Sequence, residues 1–198
     1  ERAEALAALM LTAKGIPFIY YGEEIGMENI EANALSEIKD IQGRTHYQLA
    51  LNKGYSEMEA LKIGNKHNRD KSRSPMQWND SEYAGFSNME PWIKVHQNYK
   101  RLNVEVLGED KNSLLNNYKK IIALRNSEPA LQYGEYKELS LVNKCIVFTR
   151  FYKGDIIKCY FNFGENALAV SLNKKENILL GELIIKPNHY LIVKIIKL

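Results

Sequence analysis

A charged stretch, residues 67–78, holds the side chains of this chain that are best suited to chemistry. It places Arg69, Asp70 and Arg73 within five positions and ends at Trp78. Two guanidinium groups beside one carboxylate form a rigid set of donors. A planar arginine fork binds two adjacent oxygens, either in a carboxylate or in neighbouring sugar hydroxyls. Two interpretations stay open at this point: a ligand-binding loop, or a surface loop pinned by an Arg–Asp pair.

Other familiar catalytic arrangements are missing from the sequence. Glu23 and Glu24 are adjacent, whereas the two carboxylates of a glycosidase face each other across the bond at about 5 Å or more. Adjacent side chains point in different directions, so we expect a structural salt bridge or a cap from this pair. The histidines lack metal-ligand spacing, and the chain has no glycine-rich phosphate loop and no plausible Ser-His-Asp group. We therefore expect neither a metal nor a cofactor.

The composition is that of an ordinary globular protein. The chain has 198 residues and a formal net charge of +3. Lysine and arginine are spread along it, which argues against nucleic-acid binding. No apolar run reaches the roughly 18 residues of a membrane span, so we expect no membrane association. Cys145 and Cys159 are too few for a disulfide framework, and reduced thiols in the cytoplasm are the default expectation, although a bond between neighbouring strands stays open.

Residues 1–130 are predicted to be mainly helix and loop. Apolar residues at helical spacing predict a helix over residues 2–13, and a continuous apolar run predicts a buried strand over residues 16–21. A capping box that starts at Ser56 opens a short helix. A further helix is predicted over residues 113–125, with a polar cap at its start.

From residue 131 the pattern changes to short strands. Runs rich in Val, Ile, Tyr and Phe alternate with links that contain Gly, Pro, Asn and Asp. The predicted strands cover residues 136–142, 145–152, 156–163, 167–172, 178–185 and 190–198. Short strands with tight links indicate an antiparallel sheet, packed as a small sandwich. We therefore divide the chain into residues 1–130 and a β-sandwich domain over residues 131–198.

Two long motifs carry a family resemblance. One is Arg69-Asp70-x-x-Arg73-Ser74-Pro75-Met76-Gln77-Trp78, and the other runs from Gly15 through Tyr20-Tyr21-Gly22-Glu23-Glu24 to Met27. Both resemble the oligo-1,6-glucosidase and α-glucosidase branch of the α-amylase superfamily. The resemblance implies a fold that is α/β plus all-β: the C-terminal end of a (β/α)8 TIM barrel, with its last strand and helices, followed by an antiparallel β-sandwich. Since a complete barrel takes about 250 residues, we expect residues 1–130 to form an incomplete one.

The resemblance also implies substrate-binding roles for three residues. It places Arg73 and Asp70 in the substrate loop, where Arg73 holds the non-reducing glucose. Gln42 lies in Asp40-Ile41-Gln42, at a point where the family often carries Asp-Ile-Glu with the Glu beside the leaving group. The glutamine therefore weakens the expectation of a preference for 1,6-linkages.

The same resemblance places the catalytic carboxylates elsewhere. In the family, the nucleophilic Asp and the acid/base Glu lie on earlier barrel strands, and a third Asp lies in an Asn-His-Asp motif. This sequence has no Asn-His-Asp, so we assign it no catalytic residue. We expect the C-terminal portion of a retaining α-glucosidase, which cleaves α-linked glucose from short oligosaccharides. The portion should be inactive without its partner, the missing N-terminal half of the barrel.

Two alternatives stay open. The first alternative is a non-catalytic carbohydrate-binding or interaction module. The second is part of a trehalose-6-phosphate hydrolase, sucrose isomerase or trehalose synthase.

The strand predicted over residues 16–21 also bears on folding, because without neighbouring strands its edges are unpaired and its apolar surface is bare. We therefore expect residues 1–130 alone to be loosely packed or self-associated, and the β domain to fold better.

Overall fold

The computed structural model describes residues 1–196, in which the chain forms two compact units. The first unit consists of Glu1–Ile19 and of the chain from Lys111 onward, and the second unit is Tyr20–Asp110. These limits follow the packing of the chain. The domain boundary at residue 130 stays a prediction.

The helices and strands of both units follow the chain in order. The α-helices are α1 (Arg2–Thr12), α2 (Ile41–Asn52), α3 (Glu57–His67), α4 (Val104–Glu109), α5 (Leu114–Ser127) and α6 (Pro129–Tyr133). The strands are β1 (Glu135–Val142), β2 (Cys145–Tyr152), β3 (Asp155–Asn162), β4 (Leu168–Ala169), β5 (Glu176–Gly181), β6 (Ile184–Ile185) and β7 (His189–Ile195). Short 3-10 turns cover Glu23–Ile25, Leu35–Glu37, Arg69–Ser72, Glu82–Gly85 and Gln97–Lys100. No helix within residues 1–196 is both long enough and apolar enough to cross a bilayer.

The first unit contains a five-stranded antiparallel sheet in the order β1-β2-β3-β7-β5, and a two-stranded sheet of β4 and β6. The strands predicted from the sequence are confirmed for β1, β2 and β3 within one residue at each end. The single strand predicted over residues 178–185 is wrong, because the chain there is divided into β5 and β6 at Gly181, whose φ of +92° departs from extended backbone. The strand predicted over residues 167–172 shortens to β4, and the end of the last predicted strand, residues 197 and 198, lies outside the described residues.

Both faces of the large sheet carry buried side chains, whereas the edge strand β1 is exposed along its whole length. On one face Phe148, Ile157, Phe161 and Ile192 are fully or almost fully buried against α1, α5 and α6. On the other face, Leu191 and other side chains pack against the two-stranded sheet. Successive strand residues point to opposite faces, so β7 contributes to both cores. Cys145 and Cys159 are free thiols, and burial raises the pKa of the Cys159 thiol to about 12.

A buried arginine fixes the end of α1. Arg150 on β2 is 0% exposed. Its Nη1 donates a hydrogen bond to the carbonyl oxygen of Thr12 at 2.5 Å, and its Nε and Nη2 donate to that of Gly134 at 3.2 and 2.8 Å. Arg125 also donates to the carbonyl oxygen of Leu11, at 2.6 Å. Carbonyls at a helix C-terminus lack partners within the helix and carry partial negative charge, so the two arginines hold the last turn of α1 in place.

The chain that follows α1 is extended but is not a strand. The strand predicted over residues 16–21 is wrong: no strand of the described residues pairs with it. Ile16 and Phe18 are 82% and 83% exposed. The reason is physical, because a strand exists only where a neighbour supplies its hydrogen bonds. The bare apolar surface that we expected is therefore present in the first unit.

The second unit is built on the helix pair α2 and α3. The capping box is confirmed, since the Ser56 hydroxyl accepts a hydrogen bond from the backbone N–H of Glu59 while the Glu59 carboxylate accepts one from that of Ser56. Gly43 and Gly64 let the helices approach closely, because a Cβ on Gly64 would lie 3.1 Å from the carbonyl oxygen of Gly43. The pair leads into the loops that carry the charged stretch.

Arg150→Leu tests the role of the buried arginine. The variant leaves buried carbonyl oxygens without donors, so we expect it to lower the free energy of unfolding by about 3 kcal/mol. Urea denaturation followed by circular dichroism measures this change. Lys137→Leu, on the exposed strand β1, is the control and should change the value by less than about 0.5 kcal/mol. Equal effects of the two variants would contradict the role given to Arg150.

Candidate functional site

Two buried carboxylates tie the charged stretch to the segment before α2. One oxygen of Asp70 (Oδ2) accepts hydrogen bonds from the backbone N–H groups of Lys39 and Asp40, at 2.7 and 2.9 Å. The Asp40 carboxylate accepts bonds in return from the backbone N–H of Arg69 at 3.2 Å, and from its Nε and Nη2 at 3.0 and 2.6 Å. Asp40 and Asp70 are only 4% and 2% exposed. We call this exchange between residues 39–40 and 69–70 the carboxylate clasp.

Local sequence places both carboxylates of the clasp. Asp40 precedes the first turn of α2, and Asn68 ends α3. The Asn68 side chain then accepts a hydrogen bond from the backbone N–H of Asp70 at 3.0 Å, which starts the turn Arg69–Ser72. The hydrogen bond from the Arg69 side chain holds the pKa of Asp40 below its ordinary value, against the opposing effect of burial. The clasp therefore carries a charged Asp40 at neutral pH.

Beyond the clasp, Arg73 faces an open cleft. Its Nη1 lies 3.8 Å from Oδ1 of Asp40, and its side chain is 42% exposed. The cleft has a volume of about 440 Å³. The residues that line it are Tyr21, Glu24, Arg73, Ser74, Pro75, Met76, Trp78, Phe86, Pro91, Trp92 and Ile93. Flat aromatic faces beside one guanidinium suit a sugar ring, whose C–H face packs on an aromatic ring and whose adjacent hydroxyls match an arginine fork.

Polar contacts fix the walls of this cleft. The hydroxyl of Tyr21 donates to the carbonyl oxygen of Ser74 at 3.1 Å, and burial raises the pKa of Tyr21. The fully buried Gln77 donates from Nε2 to Oδ1 of Asn98 at 3.1 Å. The backbone N–H of Trp78 donates to the carbonyl oxygen of Ala84 at 2.9 Å. The loop therefore has a fixed path from the clasp to the indole of Trp78.

Of the residues given binding roles from the sequence, Arg73 alone lines the cleft. Asp70 is buried in the clasp and lies three positions before Arg73 in the sequence. Gln42 is exposed on α2 and is not among the cleft residues, so its role stays a prediction. The structural role expected for Glu24 is present, since its carboxylate accepts a hydrogen bond from the backbone N–H of Gly22 at 2.8 Å.

Sequence reasoning missed two parts of the site. Asp40, not Asp70, is the carboxylate that meets both arginines, and it lies 29 residues before Arg69. Its position just before a helix was the available signal, but nothing local indicates its partner. Phe86 and Trp92 were given no binding role from the sequence, and they complete the cleft wall. Within the described chain, no group of three or more His, Cys, Asp or Glu side chains is placed to hold a metal ion.

Comparison with known proteins places this geometry in a family. The family model for the α-amylase catalytic domain matches residues 1–134. The chain is 42% identical over 137 residues to the probable oligo-1,6-glucosidase 3 of Bacillus subtilis, which covers 69% of this chain and 25% of that protein. It is 37% identical over 165 residues to the trehalose-6-phosphate hydrolase of Escherichia coli, which covers 82% and 30%.

A solved structure extends the likeness along almost the whole chain. The crystal structure of an isomaltulose synthase from Erwinia rhapontici in complex with D-glucose superposes with a TM-score of 0.80 and 30% identity, over 98% of this chain and 38% of that one. The chain therefore belongs to the α-amylase family, in the branch of the oligo-1,6-glucosidases, and the resemblance drawn from the motifs is confirmed. So is the fold class, the end of a (β/α)8 barrel with an antiparallel sheet domain. The chain spans only 25% to 30% of the length of these two curated relatives.

Asp40→Asn tests the electrostatics of the clasp. Because the pKa of Asp40 is lowered in the folded chain, the stability that its charge contributes is present at neutral pH and is lost as the pH falls below about 4. We expect the variant to be less stable than the parent at pH 6.5 and the difference to shrink toward pH 3. Tryptophan fluorescence during urea denaturation reports it, since Trp78 and Trp92 both lie in the second unit.

Asp80→Asn is the matched control for this titration, because Asp80 is an exposed aspartate of the same unit. It should leave the unfolding free energy unchanged at both pH values. A difference between Asp40→Asn and the parent that stays constant from pH 6.5 to pH 3 would contradict a charged Asp40 in the clasp.

Proposed function

We propose that this chain supplies one wall of the glucose-binding site of an enzyme that acts on α-linked glucosides. The observation that carries the proposal is the half-exposed guanidinium of Arg73 in a cleft of aromatic side chains. The family membership supports the substrate class, as oligo-1,6-glucosidase and trehalose-6-phosphate hydrolase are among the relatives. A guanidinium that holds two adjacent hydroxyls fixes the orientation of the sugar ring, which raises the rate when the anomeric carbon faces its nucleophile.

The cleft does not carry a catalytic pair of its own. Glu24 is the one acidic residue among the described residues that line it, and its carboxylate is engaged by the backbone of Gly22. Retaining hydrolysis requires two carboxyl groups about 5 Å apart on opposite sides of the bond. We therefore propose that the nucleophile and the acid/base belong to an N-terminal barrel half of the parent enzyme, and that this chain alone is inactive.

The reaction of the parent is proposed to be retaining hydrolysis of short oligosaccharides. The oligo-1,6-glucosidase and the trehalose-6-phosphate hydrolase are named as enzymes of hydrolysis, whereas the isomaltulose synthase is named for a synthesis. Gln42 carries no charge that would favour one leaving group, so the linkage is not assigned. The family match over residues 1–134 supports a domain boundary near residue 130, and the free thiols Cys145 and Cys159 support a cytoplasmic setting.

Arg73→Ala tests the binding role. We expect the chain to bind glucose weakly, and the variant to bind it about tenfold more weakly or worse, because a hydrogen bond to a charged group is lost. Saturation-transfer NMR with glucose and isomaltose measures the affinity. Arg101→Ala removes an exposed arginine of the same unit that does not line the cleft and should leave the affinity unchanged. Equal affinities of the parent and Arg73→Ala would refute the proposal.

A turnover assay tests the assignment of the carboxylates. The purified chain, shown to be folded by circular dichroism, should release no product from a chromogenic α-glucoside or from isomaltose. The physical reason is the missing pair of facing carboxylates. Turnover that is abolished by Glu24→Gln would contradict this account and would make Glu24 a catalytic residue.

A further inference from the structure

The two arginines beside Asp40 are held very differently. Arg69 grips Oδ1 of Asp40 with both Nε and Nη2, at 3.0 and 2.6 Å. The nearest guanidinium nitrogen of Arg73 stays 3.8 Å from the same oxygen. Within residues 1–196 we find no hydrogen bond donated by the Arg73 guanidinium. The arginine that faces the cleft is thus the one whose donors are unused.

Charge balance explains this asymmetry. The Asp40 side chain is 1% exposed, and a buried carboxylate requires a cation with good hydrogen-bond geometry. Arg69 meets this requirement, so the Asp40 carboxylate does not need a second hydrogen-bonded cation and Arg73 can remain turned away from it. If Arg69 were absent, Arg73, whose Nη1 already lies 3.8 Å from Oδ1 of Asp40, would be the cation placed to move closer and bind that carboxylate.

We infer that Arg69 is a positioning residue, which keeps Arg73 open to the sugar by occupying the carboxylate that would otherwise capture it. The inference rests on the proposed function and deepens it. It assigns to Arg69 an effect on sugar affinity although Arg69 does not line the cleft. Under this inference Asp40 competes with the sugar for Arg73, and the hydrogen bonds from Arg69 to Asp40 prevent that competition.

The accessibility of Arg73 tests the inference without a sugar. Phenylglyoxal modifies free guanidinium groups, and peptide mass spectrometry gives the rate at each arginine of the whole chain. In Arg69→Ala we expect labelling of Arg73 to slow about three- to tenfold, because an ion pair with Asp40 lowers the open fraction. Labelling of Arg101 in the same digest is the internal control and should not change. An unchanged or faster rate at Arg73 would overturn the inference.

The sign of the effect separates capture from unfolding. Local unfolding in Arg69→Ala would expose Arg73 and speed its labelling, whereas capture slows it. Arg69→Lys keeps a cation on Asp40 and should label at Arg73 nearly as the parent does. The double variant Arg69→Ala/Asp40→Asn removes the competing charge and should return the rate to within about twofold of the parent. If the double variant labels as slowly as Arg69→Ala, Asp40 does not capture Arg73.

Measurements of glucose affinity then separate the positioning role of Arg69 from the proposed binding of glucose by Arg73. Under the inference, Arg69→Ala weakens glucose binding by the same factor as it slows labelling, and the double variant recovers both. Slower labelling without any glucose binding to the parent would refute the proposed function, not the capture. Unchanged labelling in Arg69→Ala, together with glucose binding that depends on Arg73, would refute the positioning role and leave the proposed function intact.

Discussion

The second unit depends on the reciprocal exchange between Asp40 and Asp70. Each carboxylate is buried, and each accepts hydrogen bonds from the segment that carries the other. Burial of two carboxylates is tolerable only because backbone N–H groups and one guanidinium surround them. Since the segment before α2 and the segment after α3 cannot then move separately, the loop that begins at Arg69 has one path. The position of Arg73 at the cleft is a consequence of that path.

The first unit also buries a charged side chain, in this case the cation of Arg150. Arg150 is buried without a carboxylate as hydrogen-bond partner, and carbonyl oxygens at the ends of α1 and α6 take its place. Helix C-termini carry enough partial negative charge to make this exchange favourable. In each unit, therefore, backbone groups near a helix end hold a buried charged side chain: Arg150 in the first unit and Asp70 in the second. In the second unit this arrangement leaves the guanidinium of Arg73 without a hydrogen-bonded carboxylate among the described residues, and the proposed function rests on that free group.

What the sequence predicts well is local. The capping box at Ser56 and the limits of β2 depend on residues within a few positions; β2 is bounded by turns whose residues Asn143, Lys144 and Gly154 take positive φ. What it misses is long-range. The carboxylate partner of Arg69 lies 29 residues away, and no local pattern pairs Arg69 with Asp40. The strand expected over residues 16–21 failed for the same reason, since its pattern is that of a buried strand but its hydrogen bonds depend on neighbours.

Arg73 was predicted from its motif, and its environment could not be. The aromatic wall of the cleft brings together residues 78, 86 and 92, which no periodicity relates, and the left-handed residues Tyr83 and Ala84 turn the chain between them. The family resemblance supports the proposed class of ligand, whereas the geometry of the described chain explains why one arginine of the pair has free donors there. The motif and the geometry therefore both point to the Arg73 guanidinium as the candidate binding group.

The central claim is that this guanidinium contacts the sugar. The most direct measurement is a titration of the isotopically labelled chain with glucose, in which NMR observes the Nε–H signal of each arginine. The account predicts that the signal of Arg73 shifts with glucose while those of Arg69 and Arg101 stay in place. A shift at other arginines with Arg73 unchanged, or no shift in a chain that binds glucose, would contradict it.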